Sequence, residues 1–472
     1  MSAILSRREL LRRVGLGAAG LVLAACQPKV VEVEKVVTQE VVKEVEKVIK
    51  ETIVVEKEVQ APEPVTGPIE IVGWSVNGMN PDAPEWNDYR ETVLAIMEDE
   101  MPGVTFTWRD MGWDEVLRQN LVTGLLGGTA PDIIVNESFI QPYARMGAYL
   151  PLDDALEEAG ILDNLIPGTY ANAVADGKIY GISQFTGVFA FESNAAVVER
   201  AGLDPTVWPT TWDELLERCA AITEAGKDEF YGYTLQGPVG FLVGGIMRYN
   251  VFGSMVGAPM CKNDCMDPFF DDPKLEQALT FIRELNRYTP PGLTWNPDEA
   301  QVYSQLHAGV SAYQIGANWH MQWAEQYEVE DVIQYGPLPL PEGGINTSRT
   351  VGNVIVLVLS GTKYPSQSID FLKILTRDEV TDHIYIATKG RSPSTYSGLE
   401  RTLPKIDPHH KIFFDILQNA EVGAMPQWPK AVDKVWAAFN DMMTKILSTE
   451  DPIPALQAEA QEAAEKAIAE AN

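Results

Sequence analysis

Residues 128–137 read Gly128-Thr129-Ala130-Pro131-Asp132-Ile133-Ile134-Val135-Asn136-Glu137. Turn-forming residues lead into an apolar run that is too short for a helix and suits a buried parallel strand. Asn136 and Glu137 follow at once, where a chain leaving such a strand turns from core to surface. Working outward, Ile69 to Trp74 and Val104 to Trp108 read as strands, while Trp86 to Glu100 and Trp113 to Leu126 have helical periodicity. Trp212 to Ala225, Pro273 to Tyr288, Ser366 to Thr376 and Pro452 to Ala471 also read as helices, and Val354 to Leu359 as a strand. Strands that alternate with amphipathic helices indicate an α/β architecture, and no internal repeat emerges.

The N-terminus indicates a compartment. Arg7-Arg8 and Arg12-Arg13 give a cationic start, and Val14 to Ala25 is an apolar run of 12 residues ending in Leu23-Ala24-Ala25-Cys26. A membrane-spanning helix needs about 20 apolar residues, so residues 1–25 read as an export signal peptide. Ser6-Arg7-Arg8-Glu9-Leu10-Leu11 resembles the twin-arginine motif, although general secretion remains open. Leu-Ala-Ala-Cys resembles the lipobox at which the cysteine, here Cys26, is acylated and becomes the new N-terminus. The expected location is the outer face of the cell membrane, held by the lipid anchor alone.

Residues 26–66 form a biased segment. Val30, Val37, Val41, Val45, Val48, Val55 and Val59 fall on alternating steps of three and four if Glu34 and Thr52 join the stripe. Such a seam suits either a coiled coil or an extended stalk, because valine is a mediocre helix former. Ala61-Pro62-Glu63-Pro64 ends it.

Composition narrows the partners. A net charge of −31 argues against nucleic acid and anionic lipid, and loss of the first 25 residues, with four Arg and one Glu, makes the chain more acidic still. Beyond Cys26 there are only Cys219, Cys261 and Cys265; the last two either form a small disulfide loop or remain thiols. No second Cys/His pair stands at zinc-ligand spacing. Gly124-Leu125-Leu126-Gly127-Gly128 lacks the lysine of a phosphate loop, so no metal or cofactor is expected.

Further segments extend the pattern: Leu150-Pro151-Leu152-Asp153, Asp176-Gly177-Lys178-Ile179-Tyr180-Gly181-Ile182, Ala201-Gly202-Leu203-Asp204 and Pro209-Thr210-Thr211-Trp212-Asp213-Glu214-Leu215. Leu306-His307-Ala308-Gly309-Val310, Gly316-Ala317-Asn318-Trp319 and Gly336-Pro337-Leu338-Pro339 follow. In this order, from about Ile69 to the C-terminus, they resemble the family 1 extracellular solute-binding proteins of ABC importers, the family of the maltose-binding protein. The chain departs from the family where members usually carry Tyr-Asn-Lys and it has Phe191-Glu192-Ser193.

The resemblance implies a two-lobed periplasmic-binding-protein fold (type II) with ligand in the cleft. The lobes would comprise residues 67–187 with 336–392, and 188–335 with 393–472. Crossings are expected near Phe185 to Val188, Gln334 to Pro337 and Arg391 to Ser394. The implied partners are a small-molecule carbohydrate and the transmembrane subunits of an ABC permease, with the protein acting as a monomer.

A sugar presents C–H faces to aromatic rings and hydroxyls to polar side chains. In open α/β sheets ligands bind outside the carboxyl ends of strands, which singles out Ser75, Asn77, Asn136, Glu137 and Gln184. Gln236, before Gly237-Pro238, and Arg391, at a crossing, join them. Of 11 tryptophans, Trp74 ends the first strand, and Trp319 and Trp428 stand in segments that in the family face the cleft. Trp86, Trp212 and Trp436 lie in helical patterns and read as packing, and His409-His410 as surface. Two rival readings stand beside this one: the same fold with a peptide, polyamine or phosphate-ester cargo, and an exported glycoside hydrolase with two paired carboxylates.

Overall fold

The strand Ile69–Trp74 buries Ile69, Ile71 and Gly73 and exposes Glu70, the alternation expected of one packed face. It lies between two parallel neighbours, Val104–Arg109 and Ile133–Asn136. The computed structural model describes residues 67–137, 139–238, 242–258, 260–263, 265–345, 353–419, 428 and 430–471. The signal peptide, Cys26 and the stalk of residues 26–66 lie outside them.

Six strands make the first sheet, in the order Ser392–Pro393, Gly181–Thr186, Asn353–Val358, Ile133–Asn136, Ile69–Trp74, Val104–Arg109. Asn353–Val358 runs antiparallel to both of its neighbours. Its core joins Ile71, Ile133, Val135, Val356 and Val358 to Val93 and Met97 of the helix Asn87–Glu100 and to Phe371 and Leu375 of the helix Pro365–Leu375. Phe106 stacks on Phe371 at 4.6 Å.

The second sheet has four strands, in the order Ile333–Gly336, Phe189–Asn194, Ser311–Ala317, Tyr231–Tyr233. Helices surround it. Trp212–Gly226 starts with a capping box, in which the Thr211 hydroxyl accepts from the Glu214 N–H and the Glu214 carboxylate accepts in return. Trp212 then stacks on Phe281 of the helix Pro273–Asn286 at 4.1 Å. The C-terminal helices Val432–Ser448 and Ile453–Glu470 also belong here, since Arg283 donates to Ile446 O and Gln457 to Phe270 O.

The chain changes sheet between Thr186 and Phe189 and again between Gly336 and Asn353, so the expected two-lobed α/β arrangement is present. At the third expected crossing Ser392 and Pro393 still pair with Thr186 and Phe185 of the first sheet. Asn318 fastens two of these passages. Its side chain accepts from Val188 N and donates to Thr186 O and to Gly390 O, at 3.1, 3.3 and 3.2 Å. Among the described residues no helix is long and apolar enough to cross a membrane.

Candidate functional site

Arg391 follows the passage that Asn318 ties down. Its guanidinium lies 5.1 Å from the Phe185 ring centroid and 5.0 Å from that of Trp319, within cation–π range of both. Trp319 in turn meets Phe189 edge-on at 5.3 Å. Among the described residues the guanidinium has no hydrogen bond or ion pair; only the backbone N–H of Arg391 is engaged, with Thr388 Oγ1. A planar five-donor group is thus held by rings, with its donors available to a ligand.

Two carboxylates, Glu137 and Glu299, act on its charge. Burial pushes the Glu137 carboxyl up to about 7; the charge of Arg391 opposes that rise and Glu299 adds to it. Burial lowers the Arg391 pKa, against the charges of Glu137 and Glu299. Glu137 follows a first-sheet strand, Arg391 stands at a passage, and Glu299 opens the helix Glu299–His307 beside the second sheet. These three charges sense one another across the junction of the two sheets.

Polar groups with open valences lie on both sides. Gln184 donates to Asn77 O at 2.7 Å and to the Tyr89 hydroxyl, while its Oε1 is buried without a partner among the described residues. Asn77 Nδ2 is likewise buried and unpaired. On the second-sheet side both ends of the Gln236 carboxamide are buried and unpaired, although its backbone carbonyl accepts from the Tyr249 hydroxyl. Buried polar groups of this kind cost free energy unless something pairs them, and a ligand rich in hydroxyls would.

The structure therefore links Glu137, Arg391 and Trp319, with Gln184 adjacent to Phe185. Four other candidates, Trp74, Ser75, Asn136 and Trp428, make contacts away from that stack. Trp74 packs beneath the helix Asp114–Gly127, so closely that a Cβ on Gly124 would lie 2.8 Å from its ring. Ser75, with φ of 53°, fastens a loop by donating to Gly112 O and accepting from Met111 N. Asn136 turns toward the Tyr149 hydroxyl at 3.5 Å. Trp428 is fully buried, edge-on to Phe270 at 5.6 Å. Cys261 and Cys265 are joined as a disulfide, and Cys219 is a buried thiol.

Sequence reasoning missed Asn318, Arg248 and Glu299. Arg248 stacks 3.5 Å above the Tyr303 ring and pairs with Glu299 Oε1 at 3.0 Å. Arg248 lies in an otherwise largely apolar helix, Leu242–Met255, and Glu299 in the first turn of the helix Glu299–His307. Behind them Glu192 is wholly buried, with His307 Nε2 and His320 Nδ1 each 2.9 Å from its carboxylate oxygens. Burial alone would raise the Glu192 pKa, but the two imidazoles outweigh it and hold the carboxyl well below the usual range. Among the described residues no group of three or more His, Cys, Asp or Glu is arranged to hold a metal.

Comparison with known proteins bears on the fold and the family. A binding protein of Brucella abortus is 33% identical over 150 residues, 32% of this chain and 35% of its own length. The chain thus spans about a third of that relative. A "probable amino-acid ABC transporter periplasmic-binding protein" of Sinorhizobium fredii is 25% identical over 53% of this chain and 59% of its own. An arabinooligosaccharide-binding protein of Halalkalibacterium halodurans is 21% identical over 65% and 67%. Among solved structures, an ABC transporter solute-binding protein of Thermotoga lettingae bound to alpha-D-tagatose superposes with a TM-score of 0.70 at 20% identity, covering 86% of this chain and all of that one. The cyclic alpha-maltosyl-1,6-maltose binding protein of Arthrobacter globiformis gives 0.70 at 19%, covering 85% and 99%. At such identities the superpositions speak for the fold alone. The family model described as bacterial extracellular solute-binding protein matches residues 83–382, well over half of the chain. The chain belongs to the bacterial extracellular solute-binding protein family.

Proposed function

We propose that this protein captures a carbohydrate, a mono- or oligosaccharide, between residues 67–187 with 336–392 and residues 188–335 with 393–472, and delivers it to an ABC permease. The observation that carries the reading is the Arg391 guanidinium, stacked by Phe185 and Trp319 and without a protein acceptor among the described residues. Trp319 offers a C–H-binding face, and Glu137, Gln184, Asn77 and Gln236 offer acceptors and donors for hydroxyls. Residues that line the cleft from both sides are what closure requires, since a ligand shifts an equilibrium only through contacts better made in the closed state. Similar proteins named for alpha-D-tagatose, cyclic alpha-maltosyl-1,6-maltose and arabinooligosaccharide support a sugar cargo. We further propose that acylated Cys26 tethers the protein, as a monomer, outside the cell membrane.

A second reading has its own support. Arg391 beside Glu137 suits the carboxylate and ammonium of a free amino acid, the cargo class in the name of one relative. A thermal-shift panel of the full chain separates the two: maltotriose, mannotriose, arabinotriose and tagatose against the common L-amino acids. A ligand that binds only the folded state raises the melting temperature. A rise with a sugar, and recovery of that sugar unchanged, supports capture; a rise with amino acids alone replaces this reading, and hydrolysis of the sugar makes the protein a glycosidase.

A further inference from the structure

The helix Glu299–His307 carries a polar face where packing would favour an apolar one. Glu299, Tyr303 and His307 stand at positions i, i+4 and i+8, which share one side of a helix. That side meets Arg248, His320 and Glu192. Arg248 Nη1 donates to Glu299 Oε1 at 3.0 Å, and its Nη2 lies 3.2 Å from His320 Nε2. Because arginine can only donate, His320 Nε2 must accept, and the imidazole is neutral with its proton on Nδ1. Nδ1–H then donates to Glu192 Oε2 at 2.9 Å, an oxygen that also accepts from Gln314 Nε2 at 2.6 Å. His307 Nε2 stands 2.9 Å from the other oxygen, a close approach without hydrogen-bond alignment. Backbone geometry protects the arrangement, since a Cβ on Gly316 would fall 2.2 Å from Glu192 Oε2.

The chain of groups has one solvent-facing end. The side chains of Glu192, His307 and His320 are wholly buried and that of Arg248 is 3% exposed, whereas Glu299 is 30% exposed. Arg248, which holds Glu299, also lies 5.2 Å from the Phe189 ring centroid, and Phe189 meets Trp319 edge-on at 5.3 Å, so packed contacts connect Glu299 to the stack of Arg391 and Trp319. The charge of Glu299 also reaches Glu137 and Arg391. Its Oε1 is taken by Arg248, and Oε2 has no partner among the described residues. We propose that Glu299 Oε2 accepts a hydroxyl of the cargo, and that the buried series Arg248, His320, Glu192 and His307 positions Glu299, with neutral His320 as its acid-sensitive joint. The cargo role rests on the carbohydrate reading; the series does not.

A second proton on His320 turns its acceptor into a donor facing a guanidinium. Arg248 then loses a partner and meets a like charge, and Glu299 loses its anchor. The groups facing His320 are Glu192 and Gln314 from the sheet, Tyr303 and His307 from the helix Glu299–His307, Arg248 from Leu242–Met255, and Trp323; Tyr335 faces Glu192 from the neighbouring strand. Burial lowers the His320 pKa and the charge of Glu192 resists that, so the loss sets in on the acid side of an ordinary histidine.

The test uses the full chain and whichever panel sugar stabilises it most. Glu299→Gln is expected to weaken binding at neutral pH by about tenfold, the loss of one charge-assisted hydrogen bond. Wild type is expected to lose affinity as pH falls from 7.5 to 5, and His320→Gln, which keeps an acceptor toward Arg248 at every pH, to lose that part of the fall. Glu137 titrates in both proteins and cancels from the comparison. Binding by Glu299→Gln within twofold of wild type overturns the cargo contact; identical pH profiles for wild type and His320→Gln overturn the joint. Nitrogen-15 spectra of histidine-labelled protein, without ligand, are expected to show His320 as the neutral Nδ1–H tautomer at pH 7. The other tautomer or an imidazolium there overturns the series even if sugar binds. Failure of every sugar to bind removes the carbohydrate reading and the Glu299 contact with it, while the spectra still decide the series.

Discussion

The guanidinium of Arg391 and the indole of Trp319, 72 residues apart in sequence, stack with 5.0 Å between charge and ring centroid. Each fixes the other at the junction of the two sheets, and in the proposed function each leaves a surface for the cargo. Replacing Trp319 with Ala removes both the platform and one wall of the arginine's slot. Carbohydrate affinity is expected to fall at least tenfold, about 1.4 kcal/mol, while Trp319→Phe keeps most of it. Titration calorimetry with the panel sugar checks this; an affinity within twofold of wild type for Trp319→Ala contradicts it.

Glu137 gives a stability signature. Its folded-state pKa of about 7 exceeds its ordinary value of 4.5. Between those values the folded state binds more proton than the unfolded state, so the contribution of Glu137 is lost as pH rises through about 4.5 to 7. Glu137→Gln mimics the protonated form. The variant is expected to match wild type near pH 4.5 and to melt higher than wild type at pH 8. Equal melting temperatures at both pH values would show that the carboxyl is not buried as described.

Asn318→Ala leaves Val188 N–H, Thr186 O and Gly390 O without their partner. Each such loss costs about 1–3 kcal/mol when buried, with relaxation and water recovering part. A destabilisation of roughly 2–4 kcal/mol by urea unfolding is expected, larger than for a typical surface change. A cost below about 0.5 kcal/mol means that the passages do not depend on this side chain.

Much of the fold was legible because its signals are local. The strand Ile69–Trp74, the capped helix Trp212–Gly226 and the helix Pro273–Asn286 each follow from periodicity and end signals within one segment. Glu137, Gln184 and Arg391, which the proposed site uses, were expected from strand ends and a passage, where side chains turn away from the core. The tryptophans were less informative: Trp74 and Trp428 share composition with Trp319, but only tertiary packing decides that they face Gly124 and Phe270. Glu192 meets His307 and His320 across more than 100 residues, and Arg248 meets Glu299 across 51. Nothing in the spacing of such residues announces it. Glu299, Tyr303 and His307 do fall on one helical face, yet a polar stripe ordinarily reads as solvated.

Cys26→Ala tests the proposed tether. The variant is expected in the soluble fraction and wild type in the membrane fraction. Retention of the variant at the membrane contradicts acylation there.

The central claim is that both lobes grip one carbohydrate. Small-angle scattering of the full chain, without and with saturating amounts of the sugar that stabilises it most, measures that directly. The expected result is a smaller radius of gyration with sugar, through hinge closure, and no such change in Trp319→Ala at the same sugar concentration. An unchanged radius for wild type at saturation, or compaction with amino acids and none with sugar, would contradict the account.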